Sequence, residues 1–230
     1  MNGSGTPSAL PPLRLYSAAV MSTPPPGVHS ILPLALLEAM RNLDTPIDDG
    51  LAELDSELVT KRLGLSTTVA SQIERYRQSA EKGTPVPLDE AVSVFRLVSR
   101  RADAELVFSD AGRRAARYAA RRTSGLRRAV MRVSPRGLRR RLGIGASARC
   151  ADEVFRAEMR AVGALAEVRV ADSLASRAGA EGMGCYFYGA AFAELLRVLG
   201  GFEGAMLHEH CRSRGDAHCT WRATTVETYE

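Results

Sequence analysis

Cys185, His208, Cys211 and Cys219 are the residues of this chain best suited to shared chemistry, at the spacing Cys-x22-His-x2-Cys-x7-Cys. Thiolate and imidazole are the donors zinc prefers, and four of them close a tetrahedral structural site. Cys211 and Cys219 stand symmetrically about Gly215, which is followed by Asp216. A Gly-Asp step between two strand-like runs signals a hairpin, which would make these two cysteines cross-strand neighbours. Cys185 opens a helical stretch and can add a third sulfur. The fourth donor can be His208, Glu209 or His210. Residues three apart on a regular strand face opposite ways, so His208 and Cys211 converge only where a bulge intervenes. The spacing matches none of the common zinc-finger patterns. A Cys211–Cys219 disulfide, or three cysteines buried as small apolar residues, are the competing readings.

The elements that must position these residues are legible by periodicity. Residues 1–28 are rich in Pro, Gly, Ser and Thr and nearly uncharged, which reads as a disordered tail. From His29 the pattern is helical. Leu36, Leu37, Met40 and Leu43 form a stripe broken at Thr45-Pro46, and a short helix is expected from Leu51 to Leu63. Another is opened by Ser66, with Val69, Ile73 and Tyr76 on one face, and closed at Gly83. Residues 88–101 form a further helix, and Ser109 or Asp110 begins the next, with Ala111, Ala115, Tyr118 and Ala119 facing inward. Ala166, Val168 and Val170 alternate with Glu167 and Arg169, the first clear strand. A glycine-rich loop over 178–184 leads to a helix carrying Tyr188, Phe192, Leu195, Leu196 and Leu199, stopped by Gly200-Gly201. Strands over 207–211 and 217–221 complete the expected α+β fold. It has a helical part over 29–150 and an α/β core over 151–225, within one domain spanning 29–230.

Charge is distributed unevenly. Between Asp110 and Asp152 lie 13 of the 31 basic residues, all arginine, and no acidic one. The other segments carry 18 basic against 26 acidic residues, so the net charge of +5 is local. The stretch 113–149 is either a solvated helix face or a surface for an anionic membrane or an acidic protein. Nucleic acid is the weakest candidate, because no binding module and little aromatic interleaving accompany the arginines. Gly143-Ile144-Gly145-Ala146-Ser147-Ala148 nominally fits a dinucleotide fingerprint, but an arginine-rich helix precedes it rather than a buried strand, and we reject it. No apolar run approaches the length of a membrane span. The opening residues lack the pattern of a secretory signal, so the expectation is a cytoplasmic protein with reduced thiols, peripheral membrane association remaining open.

The segment from Cys185 to Trp221 resembles the core of the 4-vinyl reductase domain family. The shared features are a cysteine before an aromatic-glycine helix (Cys185-Tyr186-Phe187-Tyr188-Gly189), a donor followed by two residues and a second cysteine, then Gly-Asp and a last cysteine. The family includes bacteriochlorophyll 4-vinyl reductase and the ligand-binding domains of phenol- and xylene-responsive activators, and it is related to the Golgi-transport TRAPP subunits. A fainter similarity to the bacteriochlorophyll subgroup covers residues 85–142. The resemblance implies a structural zinc on Cys185, His208, Cys211 and Cys219, His208 standing where the family usually has glutamate. It also implies a TRAPP-like fold, a homodimer, and a hydrophobic ligand between helices and sheet, with Tyr186, Phe187, Tyr188, Phe192 and Trp221 near it.

For the bacteriochlorophyll subgroup the ligand would be a tetrapyrrole such as a divinyl chlorophyllide, and the protein a carrier or accessory factor of pigment biosynthesis. The alternatives are a 4-vinyl (8-vinyl) reductase and an aromatic sensor or interaction scaffold. A reductase needs a hydride donor and a proton donor. The sequence offers no nicotinamide or flavin fingerprint, and Tyr186 or Tyr188 is the best proton donor available.

Overall fold

Capping and turn residues set most of the element boundaries seen in the computed structural model, which describes residues 27–45, 63–122, 136–163, 165–179 and 181–225. Gly27–Val28 (β1) pairs antiparallel with Val86–Pro87 (β2). Of the tail expected over 1–28, these two residues therefore belong to the folded body, and the rest lies outside the described residues. Helix α1, Ile31–Asp44, stops at Thr45, whose backbone turns extended ahead of proline. The helix expected from Leu51 to Leu63 lies outside the described residues except for Leu63, which begins a 3₁₀ turn to Leu65. Asp44 ties the two pieces together. Its carboxylate accepts from Gly64 N at 2.8 Å and from the Arg101 guanidinium at 3.0 and 2.6 Å.

Helix α2, Thr67–Lys82, starts where Ser66 accepts a hydrogen bond from Val69 N, and ends at Gly83 in the left-handed conformation, as the sequence predicts. Helix α3 is Leu88–Ser99. Helix α4 spans Ala104–Arg121 and so begins five residues before Ser109. The capping preference of Ser109 and Asp110 is overridden there by burial of Val107 and Phe108, both fully enclosed. Helix α5, Arg136–Phe155, contains the rejected glycine motif in mid-helix. Gly143 serves packing instead: a β-carbon there would lie 2.2 Å from Gly200 Cα.

Strands β3 (Glu158–Val162) and β4 (Leu165–Val170) form a hairpin, followed by the short helix α6, Leu174–Ala178. Helix α7, Cys185–Gly200, precedes β5 (Ala205–His210) and β6 (Cys219–Thr224). The four strands make an antiparallel sheet in the order β3-β4-β6-β5. The fold is thus α+β, with a helical layer packed on a small antiparallel sheet. Strand β3 went unanticipated because, as an edge strand, it buries only Met159 and carries almost no apolar alternation.

One contiguous cluster of buried side chains joins helices to sheet, from Val28 to Ala223. Helix α7 is its axis. Phe187, Tyr188, Phe192, Leu195 and Leu196 are buried along it, and Phe192 meets Trp221 of β6 edge-on at 5.5 Å. Helix α4 approaches so closely that a β-carbon at Gly112 would sit 2.1 Å from the carbonyl oxygen of Phe187. Across the same contact, buried Glu194 accepts from Arg117 of α4 and from Arg197, each at 2.7 Å. Arg114 pairs with Asp110 at 2.7 Å, so part of the arginine-rich stretch is spent on internal pairs. Arg127, Arg128 and Arg132 lie outside the described residues.

Two outcomes follow. Gly112→Ala forces two backbones apart, so urea denaturation should show a loss of about 1–3 kcal/mol. The guanidinium of Arg197, with that of Arg117, holds the Glu194 carboxyl below its ordinary value. A depressed folded-state pKa contributes stability above the unfolded value of about 4.3 and loses it as pH falls through the folded one. Glu194→Gln should therefore be less stable at neutral pH and should lose less further stability below about pH 4 than wild type.

Candidate metal centre and adjoining cleft

Three elements deliver the cluster. Cys185 is the first residue of α7 and Cys219 the first of β6, while His208 belongs to β5 and Cys211 follows that strand immediately. The β5–β6 register runs His208↔Trp221 and then His210↔Thr220, so one residue, Glu209, is extra on β5. This is the bulge that spacing alone demanded. It turns His208 to the helix side of the sheet without throwing Cys211 to the other. Beyond β5 the chain makes a 3₁₀ turn at Arg212–Arg214 and reverses at Gly215, whose φ of 101° favours glycine. Asp216 secures that reversal, its carboxylate accepting from Cys211 N at 2.6 Å.

One ligand atom from each of Cys185, His208, Cys211 and Cys219 lies within 4.8 Å of all the others. The Sγ atoms of Cys185 and Cys211 are 3.8 Å apart. That is far beyond a disulfide bond of about 2.05 Å, and Cys185, Cys211 and Cys219 form no disulfide. It equals the edge of a tetrahedron whose corners lie at the usual Zn–S length of about 2.3 Å from its centre.

Two chemical observations agree with a cation at this point. Nε2 of His208 is buried and has no hydrogen-bond partner, a cost that a metal bond removes. The thiols also compete for protons. The Cys185 thiol, hydrogen-bonding to Cys219, holds the latter's pKa down, helped by nearby His208 and the Arg212 amide, 3.3 Å from the sulfur. Cys185 is correspondingly pushed up, by that same interaction and by burial. The lowered pKa of Cys219 favours its thiolate, the form that binds metal. The Cys3His group can hold a metal ion.

The other candidates for the fourth donor are engaged elsewhere. Glu209 faces Arg222 at 3.2 Å across the outer side of the sheet. His210 is exposed, with Nδ1 3.8 Å from Asp216. His208 instead lies flat on Trp221, their rings 4.6 Å apart and 9° from parallel.

Beside the cluster, between α7 and the inner face of edge strand β5, opens a cleft of about 510 Å³. Met183, Tyr186, Met206, Leu207 and Trp221 supply its apolar wall, and Ser109, Glu181 and Arg214 contribute polar groups. Of the five aromatic residues singled out in the sequence, the structure brings Tyr186 and Trp221 to this cleft. Tyr186 is exposed there, whereas Trp221 borders the cleft from within the core; Phe187, Tyr188 and Phe192 are buried and do not line it. The Tyr188 hydroxyl accepts from Leu174 N at 3.1 Å, and burial pushes its pKa up, which leaves Tyr186 as the phenol on the cleft wall. Helical periodicity could not separate these roles, because Phe187, Tyr188 and Tyr186 are consecutive. Met183, Met206 and Leu207 were missed for want of any motif; Met183 lies in the loop before α7, and the place of Met206 and Leu207 depends on how edge strand β5 sits.

No protein-family model, curated protein or solved structure matches this chain. Among the described residues, no helix is long and apolar enough to cross a membrane.

The geometry separates the ligands from their neighbours. Metal analysis of purified protein should find about one ion per chain in wild type, Glu209→Ala and His210→Ala. In Cys211→Ala and His208→Ala it should find a loss of most of it. Acidification should release the ion as the thiolates protonate.

Proposed function

We propose that this chain is a zinc-stapled domain that binds a hydrophobic, largely aromatic small molecule in the cleft between α7 and β5. The single observation carrying this reading is the contiguity of the two features: a four-donor Cys3His group borders a cleft walled by Trp221, Tyr186, Met183 and Met206. Zinc suits three sulfurs and one imidazole better than the hard cations, which prefer oxygen. When bound, the ion would supply charge compensation and a cross-link between the mouth of α7 and the β5–β6 turn. Three sulfurs brought together without a cation would repel as thiolates or bury unpaired thiols.

The cleft falls within the usual range of small-molecule sites, about 300–1,000 Å³, and its composition is that of such sites: apolar walls with a few polar groups. The exposed phenol of Tyr186 and the two thioethers of Met183 and Met206 favour an aromatic ligand through ring and sulfur–aromatic contact. The resemblance of Cys185–Trp221 to the 4-vinyl reductase family narrows the candidates to tetrapyrroles of the divinyl chlorophyllide type, and the role to carrier or accessory protein in bacteriochlorophyll biosynthesis.

Native mass spectrometry of protein purified from its own host tests both parts. The expected result is a mass increment for one zinc and a second for an aromatic ligand, with visible absorbance if the ligand is a tetrapyrrole. Tyr186→Ala should keep its zinc and bind the ligand about fivefold more weakly, the loss of one aromatic contact of about 1 kcal/mol. Metal-free, ligand-free protein from that source would contradict the reading.

A further inference from the structure

The cluster and the cleft share a wall, and not evenly. Cys185, His208 and Cys211 line the cleft, whereas Cys219 belongs to the cluster without reaching it. His208 is the central shared residue. Its ring backs onto Trp221, itself a cleft residue and the chain's single tryptophan. Its Nε2 has no protein partner, so protein hydrogen bonds do not fix the imidazole from that side. Trp221 has little freedom of its own. It is packed by Tyr188 at 5.9 Å and Phe192 at 5.5 Å, and a β-carbon on Gly189 would come within 3.3 Å of its Nε1. The third shared feature is the loop before α7, where a β-carbon at Gly182 would lie 3.5 Å from Cys211 Sγ and where Glu181 adopts φ 41°. Glu181, Gly182 and Met183 all border the cleft.

From this arrangement we infer that metal occupancy of the Cys3His group gates the cleft. His208 fixed by the ion holds one wall against Trp221, and Cys185 and Cys211 fixed by it hold the 181–183 loop against the end of β5. Without the ion, the imidazole and that loop are free to reorient, and a ligand must bear the cost of ordering them. Affinity for metal and affinity for the cleft ligand are then linked, and the linkage is reciprocal: each raises the other by the same factor. The inference rests on the proposed reading of the cleft as a ligand site and adds to it the regulation of that site by metal.

Cys219 makes the test clean, because Cys219→Ser removes a donor without touching the cleft wall. The probe is N-phenyl-1-naphthylamine, a neutral fluorescent aromatic, titrated into wild-type full-length protein with zinc, after chelation and after zinc is restored. The same titration is run on Cys219→Ser and Tyr186→Ala. Zinc affinity of wild type is measured by competition with a chelator, with and without saturating probe. Gating predicts probe binding about fivefold or more weaker after chelation and in Cys219→Ser, with full recovery on zinc addition to wild type alone. It predicts that saturating probe tightens zinc by that same factor, a readout taken on folded wild type that stands even where Cys219→Ser fails to fold. Tyr186→Ala should weaken the probe while leaving zinc affinity in its absence unchanged. Equal probe affinity with and without zinc, or zinc affinity indifferent to the probe, overturns gating and leaves the ligand-binding reading standing. Zinc-loaded protein that binds no probe at all overturns both.

Discussion

Crowding three sulfurs and an imidazole nitrogen within 4.8 Å of one another, at the junction of a helix and a hairpin, is the constraint on which this structure turns. Buried thiols packed together are poor hydrogen-bond partners, and buried thiolates repel. The arrangement becomes favourable when a cation replaces the protons. The local backbone is shaped to that end. The extra residue at Glu209 rotates His208 inward, Gly215 permits the reversal after Cys211, and Asp216 fixes the Cys211 amide.

The helical layer supports the same junction from behind. Helix α7 can present Cys185 at its first residue only because its body is locked. Gly112 allows α4 to reach the Phe187 carbonyl, Gly143 allows α5 to reach Gly200, and Glu194 binds arginines of α4 and α7. Trp221 completes the link from core to site, with Phe192 on one side and the His208 ring on the other. The cleft lies where helix α7 meets edge strand β5, and Met206 and His208 of that strand border it.

Much of this was legible in the sequence, for identifiable reasons. Ser66, Gly83, Thr45 and Gly201 mark helix ends through local chemistry that tertiary packing does not change, and all four act as read. Three donors were readable because cysteines so rarely gather without cause, but residue type left the fourth open among His208, Glu209 and His210; the register shift between His208 and His210 is what turns His208 inward. The start of α4 was misplaced because Ser109 looks like a cap while Phe108 pays through burial that only the packed fold provides. Strand β3 was missed because an edge strand with one buried side chain has almost no pattern. The division of Tyr186, Phe187 and Tyr188 into one cleft residue and two core residues depends on rotation of α7 against the sheet, which a stripe on one helix does not encode.

X-ray absorption at the zinc edge, on protein purified from its own host, addresses the central claim most directly. The account predicts a single four-coordinate shell of three sulfurs at about 2.3 Å and one imidazole nitrogen at about 2.0–2.1 Å. A shell dominated by oxygen, or protein fully folded with no bound metal, would contradict it.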